Sequence, residues 1–258
     1  MKNLLFIILT FISTFNNETR AQVNTESMRK ENLAKPFGVS LNFDGTLVKG
    51  NSNYSKLKTG LRIDFKKNNT YIFTVGEYQL GLKDDSRFIQ KGFGHLRGIR
   101  NLHRRIGIEL FCQKEFNEFI SLKDRNLVGG GLRTGLLLPD STRTIMKDIS
   151  IQMGNGIMWE NEVIDATPEI ETNIARSTNY LSLLWEIDKR LMLNMVVYCQ
   201  FDVADFSDYR VLTQNTLSFN VTENVTFRSG FNLRYDNEPP ATIKNYDLEL
   251  NNGFGISF

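Results

Sequence analysis

The sequence predicts an all-β chain: an antiparallel transmembrane β-barrel of about twelve strands behind an N-terminal signal peptide. The first observation is the C-terminal stretch Tyr246 to Phe258, YDLELNNGFGISF. Tyr246, Leu248, Leu250, Phe254, Ile256 and Phe258 share one parity, while Asp247, Glu249, Asn251, Gly253, Gly255 and Ser257 share the other. Strand side chains alternate between faces, so one face is apolar and the other polar and small, with a single slip at Asn252. The stretch exceeds the ~9–11 tilted residues that cross a bilayer. It ends on an aromatic, as final strands of outer-membrane barrels commonly do, so its six apolar residues form a candidate barrel-assembly signal.

The second observation is the N-terminus. A basic start at Lys2 precedes the apolar run Leu4 to Phe15, and Ala21 supplies a small residue at a cut. That is the layout of a secretory signal, whose apolar core is ~7–15 residues. Residues 1–21 are expected to be the signal, 22–35 a mobile polar leader and 36–258 the barrel. Location in the outer membrane of a Gram-negative type bacterium follows. The third observation is composition. Charged residues make up 23% of the chain and mean hydropathy is −0.29, yet Phe and Gly each number 19 and Pro only 5. Barrels hide their apolar surface in alternate positions, and long paired strands tolerate little proline.

The strands follow in order. Phe37, Val39, Leu41, Phe43 and Leu47 form a first apolar row, and Leu57, Leu61, Ile63 and Phe65 a second. The strands near 70–83 and 87–100 alternate less cleanly. Ile106, Ile108 and Leu110 resume the pattern, and the strand near 125–138 is glycine-rich. Further rows are Ile149 to Trp159, Leu181 to Ile187, Leu191 to Val197, Tyr209 to Phe219 and Val225 to Tyr235. Compact connections at 67–69, 188–189 and 222–224 are expected at the periplasmic end. Longer loops at 161–175, 201–208 and 236–245 are expected outside. A soluble sandwich or lipocalin-like barrel is the alternative, but its strands are shorter and its apolar face turns inward.

On the inward parity lie Arg62, Glu109, Glu115, Arg125, Arg133, Glu160, Arg210, Arg228, Arg234, Asp247 and Glu249, both signs interleaved. A selective ion channel more often shows one dominant sign. A mixed lumen points to cross-strand ion pairs that brace the wall, for example Arg228 and Arg234 against Asp247 and Glu249. Twelve strands still enclose more room than the eight that side chains just fill, so a small-solute path is a second reading.

Candidate chemistry is sparse. His95, within Gly94-His95-Leu96-Arg97, is one of two histidines. A barrel-wall lipid-modifying enzyme would need a serine and an orienting group beside it, and no spacing supplies them. Gly129-Gly130-Gly131 and Gly154-Asn155-Gly156 lack the lysine and helix of a phosphate loop and are read as relief of crowding in the wall. Cys112 and Cys199 fall on outward parities of non-neighbouring strands, so a disulfide is not expected. No cofactor, metal site or enzymatic activity is expected. A net charge of +2 without a basic run gives no reason to expect nucleic acid. The expected partners are outer-membrane lipid, the barrel-assembly machinery during folding, and small solutes.

Several stretches together resemble the salt-induced outer-membrane protein family, a bacterial domain-of-unknown-function family. They are Gly94-His95-Leu96-Arg97, Glu109 through Phe119, Arg125 through Arg133, Met158-Trp159-Glu160, Val197 through Gln200, Asp208-Tyr209-Arg210 and Leu233 through Pro240. The resemblance covers roughly residues 37–258. It implies an outer-membrane location and a single barrel, and no settled activity. The function expected of the chain is a structural or osmotic, salt-stress role in the envelope with a narrow, charge-braced lumen.

Overall fold

A computed structural model describes residues 26, 28–29, 36–50, 53–84, 86–139, 148–239 and 244–256. The signal expected over 1–21 lies outside the described residues. Twelve strands follow in chain order: β1 (Phe37–Val48), β2 (Tyr54–Lys67), β3 (Thr70–Lys83), β4 (Ser86–Asn101), β5 (Ile106–Asn117), β6 (Leu122–Leu137), β7 (Ile149–Ile164), β8 (Ile170–Glu186), β9 (Leu191–Asp202), β10 (Tyr209–Asn220), β11 (Val225–Asp236) and β12 (Tyr246–Ile256). They run from 11 residues in β12 to 17 in β8, each long enough to cross a bilayer when tilted.

All twelve belong to one antiparallel sheet whose order in space is the order in the chain. The sheet curls upon itself, because Tyr180 on β8 reaches Glu109 on β5 and Arg210 on β10 reaches Glu160 on β7. The register puts Asp44 beside Lys58, Glu115 beside Arg125 and Arg234 beside Asp247 on the concave face. Phe43, Leu61, Leu110 and Leu250 are on the convex face and exposed.

Two sequence expectations need correction, the extent of one loop and the alternation of connections. Among the described residues no register joins β12 back to β1. The concave rows of the two end strands carry Ser40, Asn42 and Asp44 on β1 and Asp247, Glu249, Asn251 and Gly253 on β12. Nothing on either row is long and opposite in charge. The loop expected over 161–175 shrinks to 165–169, because Asn161 to Ile164 pair with Ile170 to Asn173. The outward positions there, Asn161, Glu171 and Asn173, bond one another as a polar ladder and so mimic a loop in sequence.

The alternation of short and long connections also fails in part. The end carrying the turns at 68–69, 102–105, 187–190 and 221–224 is called the near end here, and the opposite one the far end. The stretch 138–148 joins β6 to β7 at the near end, while 84–85 and 118–121 turn tightly at the far end. Asn68, Asp84 and Ser121 take positive φ of 51°, 46° and 57° and so close three of these tight turns.

The muddy alternation near 70–100 has a simple cause. Tyr71, Phe73 and Val75 on β3 face inward and pack with Ile99 of β4 as a buried cluster. Apolar residues on the lumen face erase the binary pattern there.

Candidate functional site

The lumen carries three stacked layers of side chains. At the far end lies an ion network centred on Glu160, which has no exposed surface. Arg210 Nη1 donates to both its carboxylate oxygens at 2.9 and 3.0 Å, and Arg176 Nε donates to one at 3.0 Å. Arg176 also forks onto Asp208 at 3.0 and 2.7 Å, and Arg210 Nε donates to Asp236 at 2.8 Å. Arg125 donates to Glu162 at 2.7 Å and to Glu115. Arg210 reaches Glu162 at 3.4 Å. Planar guanidinium forks match carboxylates in this way better than lysine does.

The middle layer is largely apolar. Phe73, Leu127, Met158 and Leu212 are buried there. His95 sits among them with ring centroids 5.9 Å from Phe73 and 6.0 Å from Phe111. His95 Nδ1 lies 3.0 Å from Gln113 Oε1, and Gln113 Nε2 donates to Glu115 at 2.7 Å. Nδ1 is therefore the protonated ring nitrogen with the amide oriented this way. His95 Nε2 has no hydrogen-bond partner among the described residues.

At the near end the leader takes part. Glu26 and Arg29, expected in a mobile segment, are buried inside the barrel instead. Arg97 Nη1 donates to Glu26 at 2.8 Å and to Glu109 at 3.2 Å, and Arg29 also donates to Glu109. The Tyr180 hydroxyl donates to Glu109 at 3.1 Å. Arg62 forks onto Asp64 at 2.7 Å through each of two nitrogens and donates to the Met28 carbonyl at 2.6 Å. The physical reason for the correction is pairing. Glu26 and Arg29 carry opposite charges three residues apart and meet Arg97 and Glu109 of opposite sign in the wall.

Of the residues singled out in the sequence, Arg62, Glu109, Glu115, Arg125, Glu160 and Arg210 join these networks. Arg133 is half-buried on the concave face at the near end. Arg234 pairs with Asp247, and Glu249 accepts from Asn251 at 2.8 Å and from Asn232 at 3.4 Å. Arg228 does not meet an acid as expected, because its register partner is Gly253, and it is exposed. Tyr246, Leu248, Leu250 and Phe254 of the candidate assembly signal are exposed on the convex face. Ile256 pairs with Val225, and Phe258 lies outside the described residues.

Arg97, Glu162, Asp208 and Asp236 were missed as lumen residues. Arg97 shares parity with His95 and Ile99, but the apolar inward neighbours hid that row. Glu162 fell in the stretch read as a loop. Asp208 and Asp236 stand at strand ends, where parity is least informative.

The glycines make the inner wall smooth beneath this packing. A Cβ at Gly154 would lie 2.1 Å from the Tyr180 ring, so that ring rests on bare backbone. Gly131 and Gly156 face each other so closely that a Cβ on either would lie 2.4 Å from a carbonyl oxygen of the opposite strand.

Fold and site together define a barrel with an ion-braced lumen, and the assembly extends to the chain that precedes the first strand. The chain belongs to the family described as "Protein of unknown function, DUF481", whose match covers residues 41–258. No curated protein matches it. Among solved structures it is similar to the NanC porin in a rhombohedral crystal form, at 10% identity and a TM-score of 0.49, covering 85% of this chain and 100% of that one. It is also similar to the β domain of the Bordetella autotransporter BrkA, at 8% identity and a TM-score of 0.34, covering 87% and 100%. Likeness at this level says nothing of what the chain does.

Proposed function

We propose that this protein is a bacterial outer-membrane barrel that works as a braced structural element of the envelope and not as a wide pore. One observation carries the reading: Glu160, without exposed surface, is held by arginines from β8 and β10, which are linked in turn to Asp208 and Asp236. That arrangement occupies the lumen at the far end with charges that are already paired.

The membrane assignment is supported by the convex face. Every strand carries at least one large apolar side chain that is more than a third exposed, among them Leu41 at 77%, Leu110 at 70% and Leu250 at 64%. Soluble monomers rarely expose apolar surface on this scale, whereas lipid covers it at no cost. Export by a cleaved signal over 1–21, and recognition of the terminal strand by the barrel-assembly machinery, complete the proposal. An osmotic or salt-stress role in the envelope is part of the proposal. Buried pairs are screened by salt far less than surface pairs, so such a brace keeps its strength as ionic strength rises.

A small-solute porin is the second reading, favoured by the exposed concave rows of β12 and β1. Planar-bilayer recording separates the two. A braced lumen gives little steady conductance, whereas a porin gives a stable open level. No enzymatic role is proposed for His95. If lipid hydrolase or acyltransferase activity were found, its loss in His95→Ala would reverse that.

A further inference from the structure

The near-end mouth holds a cavity of about 420 Å³ that borders the Glu26–Arg29–Glu109 network through Arg29. Its lining includes Arg29, Lys66, His103, Arg104, Arg105 and Arg133, and no aspartate or glutamate among the described residues. Asn69, Asn101 and Gln152 add amide donors. Elsewhere in the lumen the two signs alternate, so a cavity lined by cations alone is a departure from the rest of the molecule.

We propose that this cavity binds a small water-soluble polyanion, one carrying two or more phosphate or carboxylate groups. Four observations support it. The volume lies at the small end of the ~300–1,000 Å³ typical of ligand sites, which suits a compact solute better than a lone ion. Arg133, Gln152 and Tyr71 stand on concave rows, so the cavity opens within the mouth, away from the lipid-facing side. Arg104 and Arg105 make no ion pair among the described residues, so their charge is available.

The fourth is rigidity. Leu102 N and His103 N donate to Ile106 O at 2.9 and 3.0 Å, Gly135 N donates to Arg105 O at 2.7 Å, and Asn101 N donates to Asn69 O at 2.8 Å. The turn that presents the two arginines is thereby tied to the 68–69 turn on one side and to β6 on the other, and less order has to be created when an anion arrives. Guanidinium groups suit the task because each offers a planar fork to phosphate or carboxylate oxygens. The site stands whether or not the bore conducts, so its test is separate from the conductance measurement.

The test is calorimetric titration of the full mature chain in neutral detergent with pyrophosphate and with citrate, and with sucrose as a neutral control. Saturable binding of at least one anion and none of sucrose is expected. Affinity should fall at least about tenfold in Arg104→Ser/Arg105→Ser, which removes two charge-assisted contacts, and stay unchanged in Lys83→Ser at the far end. Both arginines are exposed, so the single variants Arg104→Ser and Arg105→Ser keep the test decisive if the double variant folds poorly. Absence of binding by both anions overturns the proposal. So does affinity that is equal in wild type and the arginine variants, or binding seen only with anionic phospholipid vesicles.

Discussion

Two arcs of the same wall are built on different terms. From β4 to β10 the concave face is crowded and paired, with His95, Arg97, Glu115, Arg125, Glu160, Arg176 and Arg210 all buried. From β11 through β12 to β1 it is sparser: Arg234 pairs with Asp247, but Arg228, Asn251, Ser40, Asn42 and Asp44 are exposed, and among the described residues no register joins β12 to β1. Both arcs have outward apolar rows, but the crowded arc holds the longest strands, up to 17 residues in β8 against 12 or fewer in β11, β12 and β1. The difference shows that the convex pattern makes a strand of the barrel, while the concave side chains decide whether that part of the bore is filled. The concave packing is therefore uneven, denser against one arc than along the other.

Breaking the filled arc should have the largest effect. Glu160→Ala would leave Arg210 without one partner and strip Arg176 of its wall contact, and removal of one member of a buried ion group costs about 3–5 kcal/mol. Urea unfolding in lipid vesicles, followed by the fluorescence of Trp159 and Trp185, would read this loss. A cost near zero would mean that the far-end network is wet and weak.

Gly131→Ala comes next. Its Cβ would meet backbone on β7, which cannot rotate away, and overpacking of this kind costs about 1–3 kcal/mol. The same unfolding measurement checks it. On the sparse arc, Arg228→Ala should change stability by no more than about 0.5 kcal/mol, as for other surface positions. A large loss there would erase the distinction between the arcs.

The smallest effect concerns pH and a far-end loop. Asp205 accepts from the Ser207 hydroxyl and the Ser207 amide, and these hydrogen bonds hold its carboxyl below the usual carboxylate range. A depressed folded value adds order that is present above the unfolded pKa and is lost as pH falls through the folded one. Protection factors of amides 203–208, with exchange rates corrected for their intrinsic pH dependence, should therefore fall in acid, ahead of any change in the strands. Ser207→Ala should remove the hydroxyl's share of that dependence.

Much of the wall was legible in the sequence because lipid demands a strict period of two. Leu41, Leu110 and Leu250 are on the convex face, and Arg125, Glu160 and Arg210 share the opposite parity. The lumen obeys no such rule. Phe73 and Val75 can face inward because a filled bore accepts apolar groups, and that blurred β3 and β4. Asn161, Glu171 and Asn173 can face outward because β7 and β8 carry a polar ladder on their convex face near the far end, and that hid Glu162. The seating of Glu26 and Arg29 left no periodic trace at all. Two charges in a polar leader look the same whether they are solvated or matched by Arg97 and Glu109 across the bore. Arg228 fails as an expected pair for a related reason, since parity gives the face but only register gives the partner.

The most direct measurement is single-channel recording of the purified chain in planar lipid bilayers, alongside Glu160→Ala. An occupied, ion-braced lumen predicts insertion with little steady current for the wild type and larger, noisier current for the variant. A stable, high open level in the wild type, unchanged by Glu160→Ala, would contradict it.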